Sequence, residues 1–238
     1  MLLGIDTATD QASVALAVPG TDPLEETISG ARRHAASLLP AIQTLLRRAG
    51  ASLDEVSGIV LSDGPGSFTG LRVGASVAKA LVHARGLPLW VAPSLLVRAA
   101  GVAATDALVL AVANALRGEV YAAMYRFLPS RIHTELPPSV RRPGELIAGA
   151  LQPTVVVGEA PAEIVAALTS WVGRPVIGPP RGSPHAATLL GLVGRNGGAR
   201  RVEEVTKWEP EYGRPAEAQA RWESVHGRPL PDSIGSPR

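Results

Sequence analysis

Two stretches of the chain carry the residue types from which phosphate chemistry is built. One is Gly64-Pro65-Gly66-Ser67-Phe68-Thr69-Gly70, a glycine-rich loop between a short apolar run and a helix-like segment. Glycines at a helix start free backbone amides to converge on an anion. The other is the turn after Asp6, where a carboxylate and the hydroxyls of Thr7 and Thr9 stand close in sequence. In two-lobed phosphotransferases such a turn orients metal and phosphate. The candidate phosphate or nucleotide positions are therefore Asp6, Thr7, Thr9, Gly64, Gly66, Ser67, Thr69 and Gly70.

Both stretches also have a purely structural reading. A P-loop needs a lysine and a hydroxyl residue directly after its last glycine, whereas Gly70 is followed by Leu71 and Arg72. A dinucleotide-binding fingerprint needs a third glycine where Thr69 stands. Gly64 and Gly66 equally suit a tight turn stiffened by Pro65, with Thr69 as the helix cap. The Asp6 turn equally suits a self-satisfied Asx or Thr turn. Gly74, Ala75 and Ala78 follow at i, i+1 and i+4, a smooth helix flank that another helix could approach closely.

Other chemistries find less support. The chain has no cysteine, which removes thiol catalysis, cysteine-type zinc sites and disulfides. His34, His83, His133, His185 and His226 are too far apart for two to act as ligands from one helix turn, so no metal site is expected. No Gly-x-Ser-x-Gly elbow is present, since Ser67 lies between Gly66 and Phe68. Glu119 and Tyr121 read as an ordinary strand edge with an interior tyrosine, and no catalytic residue is assigned.

The elements that must position these residues read as layered α/β. Leu2 to Asp6, Ala12 to Val18 and Leu24 to Ser29 predict a three-stranded meander. Leu38, Leu39, Ile42, Leu45, Leu46 and Ala49 recur at helical spacing, giving a helix over 35–49. A buried strand (Gly58 to Ser62), a helix from Leu71 to Ala84 or Arg85, a strand (Leu89 to Ala92) and a helix (Ser94 to Ala103) follow. A second, more degenerate round comprises strands in 107–114 and 118–127, an irregular proline-rich connection (Glu135 to Pro143), a strand in 154–158, a helix over 162–171, the strand "PVIG" and a helix over 186–193. The expected organisation is an N-terminal lobe over 1–104, a C-terminal lobe over 105–200 and a segment 201–238 with a disordered end. Within that segment "EPEYGRP" reads as an exposed loop.

Composition narrows the partners. Formal charge is +2 and the sequence pI about 9.4, with arginines in scattered pairs such as Arg32 with Arg33 and Arg141 with Arg142. Scattered pairs read as solvated faces with at most weak hold on a polyanion. An aromatic content of 4% argues against base-stacking platforms. "ALVLAVANAL" is about half the roughly 20 residues a membrane span needs, and Asp6 interrupts any signal-like start, so a soluble cytoplasmic protein is expected.

Taken in order, "LLGIDTATDQASVALA", "RRHAASLLPAIQTLL", "SDGPGSFTGLRVGASVAKAL", "RGEVYAAMY" and "EPEYGR" resemble the bacterial TsaB (YeaZ) family across almost the whole chain. The resemblance implies a two-lobed actin/Hsp70/sugar-kinase-like (ASKHA) fold with a degenerate second lobe. It further implies a non-catalytic role in making threonylcarbamoyladenosine beside the tRNA anticodon, downstream of TsaC. The family's partner is TsaD, which carries ATP and metal; TsaE joins a larger complex, the protein pairs with itself when alone, tRNA contact is indirect or weak, and no cofactor is its own. The catalytic relative holds metal with two histidines where this chain reads "VAPSLLVRAA", Asn114 stands where many relatives have aspartate, and the second lobe is short for a full adenosine pocket. Family helices equivalent to 35–49 and 71–85 bundle with the partner, which puts the interface at Leu38, Ile42, Leu45, Leu71, Gly74, Ala75, Ala78 and Leu81. The alternative is a free-standing ATP-dependent phosphotransferase of the same superfamily.

Overall fold

The computed structural model describes residues 1–30 and 34–213. Arg32, Arg33, His226 and the expected disordered end at 214–238 lie outside the described residues. The chain forms two sheets. In the first, β1 (Leu2–Asp6), β2 (Gln11–Ala17) and β3 (Leu24–Ser29) make the antiparallel meander. Beyond α1 (His34–Ala49), β4 (Gly58–Ser62) pairs parallel with β1; beyond α2 (Phe68–Arg85), β5 (Leu89–Ala92) pairs parallel with β4. Every residue of β4 is buried, as a parallel strand covered on both faces requires.

The second sheet repeats the opening of this pattern and then stops. β6 (Leu108–Asn114) is flanked by antiparallel β7 (Val120–Phe127) and parallel β9 (Val155–Gly158), with β8 (Ile132–Arg141) outside β7. The order β8-β7-β6-β9 thus mirrors β3-β2-β1-β4 but lacks a fifth strand. Its crossover uses only the short α4 (Pro143–Ile147), and α5 (Ala162–Val172) covers its outer face. This is the two-lobed ASKHA fold with a degenerate second lobe.

Three apolar layers hold the lobes together, and strand alternation divides the side chains between them. Leu3, Ile5, Ile59 and Leu61 face α1 and α2; Val60 with Val109, Ala111 and Ala113 faces the space between the sheets; Leu108, Leu110 and Val112 face α5. The inter-sheet layer is filled by α3 (Ser94–Ala100), buried from Ser94 through Ala99, and α6 (Ala186–Leu190).

Several boundaries depart from the sequence reading. Residues 135–141 belong to β8 rather than to an irregular connection: β8 is an edge strand, where Pro137 and Pro138 cost no central ladder bond, and register shifts near Ala122 and Met124 absorb the misfit. "PVIG" contributes only the isolated Ile177 bridge to Val157. α3 and α6 end earlier than expected, at Ala100 and Leu190, each directly before a glycine. α6 packs on β1, β2 and β4, and β10 (Arg200–Arg201) pairs with β5, while between them Asn196 bridges Arg131 at the second sheet, so residues 186–201 touch both lobes.

The return of α6 is fixed by polar contacts at its start. Ser13 Oγ accepts from Ala186 N at 2.9 Å, Glu25 Oε1 accepts from Ala187 N at 3.1 Å, and His185 Nδ1 lies 3.3 Å from Glu25 Oε2. The Glu25 hydrogen bond raises the His185 pKa above its usual value against the opposing effect of burial. A raised histidine pKa stabilises the fold fully below the unfolded value near 6.5, and that contribution is lost as pH rises through the higher folded value. The melting-temperature difference between wild type and His185→Gln should therefore shrink as pH is raised across that range, as read by thermal melts in matched buffers. Gly4 seats α6 from below, since a Cβ there would lie 2.7 Å from the Ala186 carbonyl oxygen and 3.2 Å from Leu190 Cγ. Gly4→Val should cost about 1–3 kcal/mol by overpacking, measured by urea denaturation.

Candidate functional site

The structure brings the Asp6 turn and the glycine loop together, but as packing surfaces. α2 begins at Phe68, and its cap is Ser67, whose Oγ accepts from Gly70 N at 3.2 Å; Thr69, the expected cap, is exposed in the first turn. A Cβ at Gly66 would lie 2.3 Å from the Ala8 carbonyl oxygen, one at Gly70 2.1 Å from that of Thr7, and one at Gly74 2.3 Å from Thr7 Oγ1. These glycines recur every fourth residue, so they form one bare ridge lying on the β1–β2 turn. Ser67 N closes the contact by donating to Ala8 O at 2.8 Å. Gly64, at φ +108°, leaves room on its other side for the Glu211 carbonyl oxygen, 2.1 Å from a Cβ position.

The Asp6 carboxylate and the Thr7 hydroxyl beneath are enclosed, whereas Thr9, Gly66 and Ser67 are half-buried and line the space between the lobes. Asp6 and Thr7 are fully buried; Asp6 Oδ1 accepts from Ala8 N at 3.1 Å, while Asp6 Oδ2 and Thr7 Oγ1 have no hydrogen-bond partner among the described residues. Burial pushes the Asp6 carboxyl upward, against the Ser62 hydroxyl, the Ala8 amide and the charges of Arg98 and His185. Thr9 is satisfied within its own turn, donating to Gln11 O at 2.8 Å. Among the described residues no three His, Cys, Asp or Glu side chains converge as a metal-ligand group.

The expected interface residues also face inward. Leu38, Ile42 and Leu45 of α1 and Leu71, Gly74, Ala75 and Ala78 of α2 are buried in the monomer's own core, and Leu81 is half-buried against it. The smooth Gly74–Ala78 flank, expected to meet a partner helix, packs against the monomer's own first sheet. A different stripe faces outward: Thr69, Ser76, Ala80 and Ala84 are exposed on α2 with Val73 and Val77 half-buried beside them, at the spacing of a helix-packing seam. On α1 the exposed neighbours are Ala36, Leu39, Pro40 and Gln43, with Leu39 at 49% exposure.

Between the lobes lies a cleft of about 1210 Å³, bounded by the Ala8–Asp10 turn and Ser67 on one side and by Asn114, Arg117 and Glu159 on the other. Its size exceeds that of common small-molecule pockets, so the short second lobe does not by itself deny room for adenosine. Arg98, 2% exposed within "VAPSLLVRAA", donates to Glu159 Oε1 at 2.7 Å and Gly182 O at 3.0 Å. In the same segment Ser94 N donates to Gly64 O at 2.7 Å, holding the glycine loop. Asn114 Oδ1 accepts from Leu116 N at 2.9 Å in a hairpin tip where Leu116 (φ 64°) and Arg117 (φ 54°) are both left-handed. Each such non-glycine residue costs roughly 1–2 kcal/mol.

"EPEYGRP" proves to be no free loop through Gly213; it is the end of a strap over 202–213. Val202 N donates to Leu89 O at 2.8 Å, Trp208 is buried, Lys79 Nζ pairs with Glu209 at 2.8 Å, and Glu211 N donates to Asp63 O at 2.7 Å. A Cβ at Gly213 would lie 2.6 Å from Tyr121 Cε1 and 3.0 Å from Pro65 Cβ, so the strap is wedged between the lobes. Tyr212 meets Phe68 at 4.7 Å between ring centroids, and the Arg72 guanidinium stands 4.2 Å over Phe68. Phe68, Tyr121 and Tyr212 all line the cleft, a concentration of rings that the low aromatic content does not anticipate. These residues are distant in sequence and share no motif, which is why periodicity and spacing miss them.

Asp63, 2% exposed beneath the strap, pairs with Arg200 Nη2 at 3.0 Å. Burial, aided by the Glu211 charge and opposed by Arg200, raises its pKa to about 6. A carboxyl raised in the folded state favours folding below its unfolded pKa, and that contribution is lost as pH rises through about 6. Asp63→Asn removes the loss, so its melting temperature relative to wild type should climb as pH is raised from acid to neutral.

A family model described as TsaD, tRNA N6-adenosine threonylcarbamoyltransferase, matches residues 26–166. The tRNA threonylcarbamoyladenosine biosynthesis protein TsaB of Escherichia coli (strain K12) is 33% identical over 180 residues, 74% of this chain and 74% of that protein. The TsaB of Bacillus subtilis (strain 168) is 32% identical over 126 residues, 53% of this chain and 55% of that one. Among solved structures, a Pseudomonas aeruginosa protein described as uncharacterized with similarity to peptidase YeaZ superposes with a TM-score of 0.70 at 28% identity, covering 90% of this chain and 99% of that one. YeaZ from Pseudomonas aeruginosa gives 0.65 at 28% identity, covering 81% and 91%.

Proposed function

The chain belongs to the TsaB (YeaZ) family of tRNA threonylcarbamoyladenosine biosynthesis proteins, and from that membership we propose that it is a non-catalytic subunit which binds and activates TsaD. ATP and metal sit on TsaD, TsaE joins the larger assembly, and TsaC acts upstream. The observation that carries the reading is the contrast between the two faces of α2. Its glycine ridge is packed against Thr7 and Ala8 of the β1–β2 turn, while its opposite face presents an exposed stripe of small side chains.

That stripe is the docking surface in this reading. Thr69, Ser76, Ala80 and Ala84 admit a partner helix closely, and Leu39, exposed on α1, supplies an apolar anchor for the same partner. A stable contact of this kind buries roughly 800 Å² per partner. In the absence of TsaD the same stripe pairs with a second copy. The phosphotransferase alternative loses its support here, because Asp6 and Thr7 are sealed under the loop that would have to admit phosphate. The peptidase description of one structural relative finds no nucleophile elbow in this sequence.

Ser76→Trp and Ala80→Trp should abolish co-elution with the TsaD of the same organism and lower threonylcarbamoyladenosine in its tRNA by at least about tenfold, with the melting temperature kept. Gly74→Trp should instead unfold the protein, because its side chain enters Thr7 and Leu61. Retained co-elution and modification in the Ser76 and Ala80 variants would overturn the reading.

A further inference from the structure

We propose that the mouth of the inter-lobe cleft is a direct RNA contact, in which the Tyr212 ring, braced by Phe68, stacks one unstacked base of a single-stranded loop and Arg72 and Arg117 hold the adjoining phosphates. The inference rests on the reading that the chain serves tRNA modification, and it goes beyond it by giving this subunit its own contact with the substrate.

The ring pair has the position a stacking platform needs. Phe68 and Tyr212 are half-buried rather than sealed and line the cleft, and their contact at 4.7 Å between centroids and 46° between planes braces each ring against the other. The Arg72 guanidinium, exposed at 4.2 Å over Phe68 and 5.8 Å from the Tyr212 centroid, adds a cation to the same platform. Aromatic faces and guanidinium planes are the groups on which proteins stack bases splayed from single strands.

The cations favour a strand over a free nucleotide. A mononucleotide polyphosphate needs several donors converging on one point, yet the glycine ridge is filled by Thr7 and Ala8, and Arg98 spends two of its nitrogens on Glu159 and Gly182. Arg72 on α2 and Arg117 on the β6–β7 hairpin have no carboxylate partner among the described residues, and they stand on different elements. Separate cations beside a ring platform suit successive phosphates of one strand. Arg117 is held ready: Asn114 Oδ1 accepts from Leu116 N, and Ala115 and Glu119 pair across the tip, keeping two consecutive left-handed residues in place. Three carboxylates also line the cleft; Glu159 is paired with Arg98, Glu119 lies 3.8 Å from Arg142, and Asp10 stands at the opposite edge.

The probe is a fluorescein-labelled anticodon stem-loop RNA titrated with the full chain, beside a blunt RNA duplex of equal length. The stem-loop should bind more tightly than the duplex. Tyr212→Ala should weaken it about tenfold while Tyr212→Phe, which keeps the ring, leaves it unchanged. Arg72→Gln and Arg117→Gln should each weaken binding and flatten the salt dependence by about 0.7 in log–log slope. With 4-thiouridine in the loop, irradiation of the complex with TsaD should give adducts mapping to Phe68 or the 208–213 strap. Affinities unmoved in the Tyr212→Ala and Arg117→Gln variants, equal binding of the duplex, displacement of the RNA by millimolar ATP, or adducts confined to TsaD would each overturn the proposal. Co-elution with TsaD is measured on the Tyr212 and Arg117 variants, which lie off the α2 stripe, and should be intact. Loss of that association in wild type condemns the proposed function, whereas loss of the RNA effects alone condemns only this inference.

Discussion

The fold turns on a contact between backbones. Gly66, Gly70 and Gly74 form a side-chain-free ridge on the loop and first turns of α2, and the carbonyl oxygens of Thr7 and Ala8 with the Thr7 hydroxyl rest directly on it. Any Cβ on the ridge would come within 2.3 Å of those atoms, far inside van der Waals distance. Two loops that in a phosphotransferase would part around a phosphate are therefore fixed to each other. Burial of Asp6 and Thr7 follows from that contact, and so does the commitment of α2 to the first sheet along one face and to solvent along the other.

A second constraint comes from the chain's return. From Ala186 the polypeptide sets α6 under the first sheet, touches the second lobe again where Asn196 bridges Arg131, adds β10 to the first sheet's edge and runs the strap between the lobes as far as Gly213. Lys79 with Glu209 and Asp63 with Arg200 fasten the strap and its approach to the first lobe, and Tyr121 meets it from the second. Arg98 with Glu159 and Gly182 ties the lobes from inside. The cleft is thus bordered by segments far apart in sequence, and its aromatic lining is assembled from α2, β7 and the strap.

Charge in this chain is distributed by role more than by amount. A pI near 9.4 with a formal charge of +2 suggests weak general attraction for polyanions, but the arginines are not equivalent. Arg98 is structural and buried, Arg200 offsets a buried aspartate, and Arg48 pairs with Glu26 on the surface. Arg117 lines the cleft on a hairpin tip held in left-handed geometry, and Arg72 stands over the Phe68 ring that borders it. Arg72 lies one helical turn from Thr69 and Ser76 and so borders the small-residue stripe, whereas Arg117 stands on a different element.

Periodicity alone determined the meander, both long helices, the buried parallel strands and the existence of a weaker second α/β round, because alternation and 3.6-residue repeats are local consequences of burying one face. Glycine spacing in 64–74 also announced a close approach. The sequence could not say what approached: both flanks of α2 are rich in small residues, and only packing against the sheet decided that Gly74, Ala75 and Ala78 face inward while Ser76 and Ala80 face outward. β8 was hidden because its prolines look like loop signals until the strand is seen at a sheet edge. The strap, the Asp63–Arg200 pair and the Phe68–Tyr212 contact were decided by tertiary structure alone, since they join residues more than a hundred positions apart and no local rule links such partners.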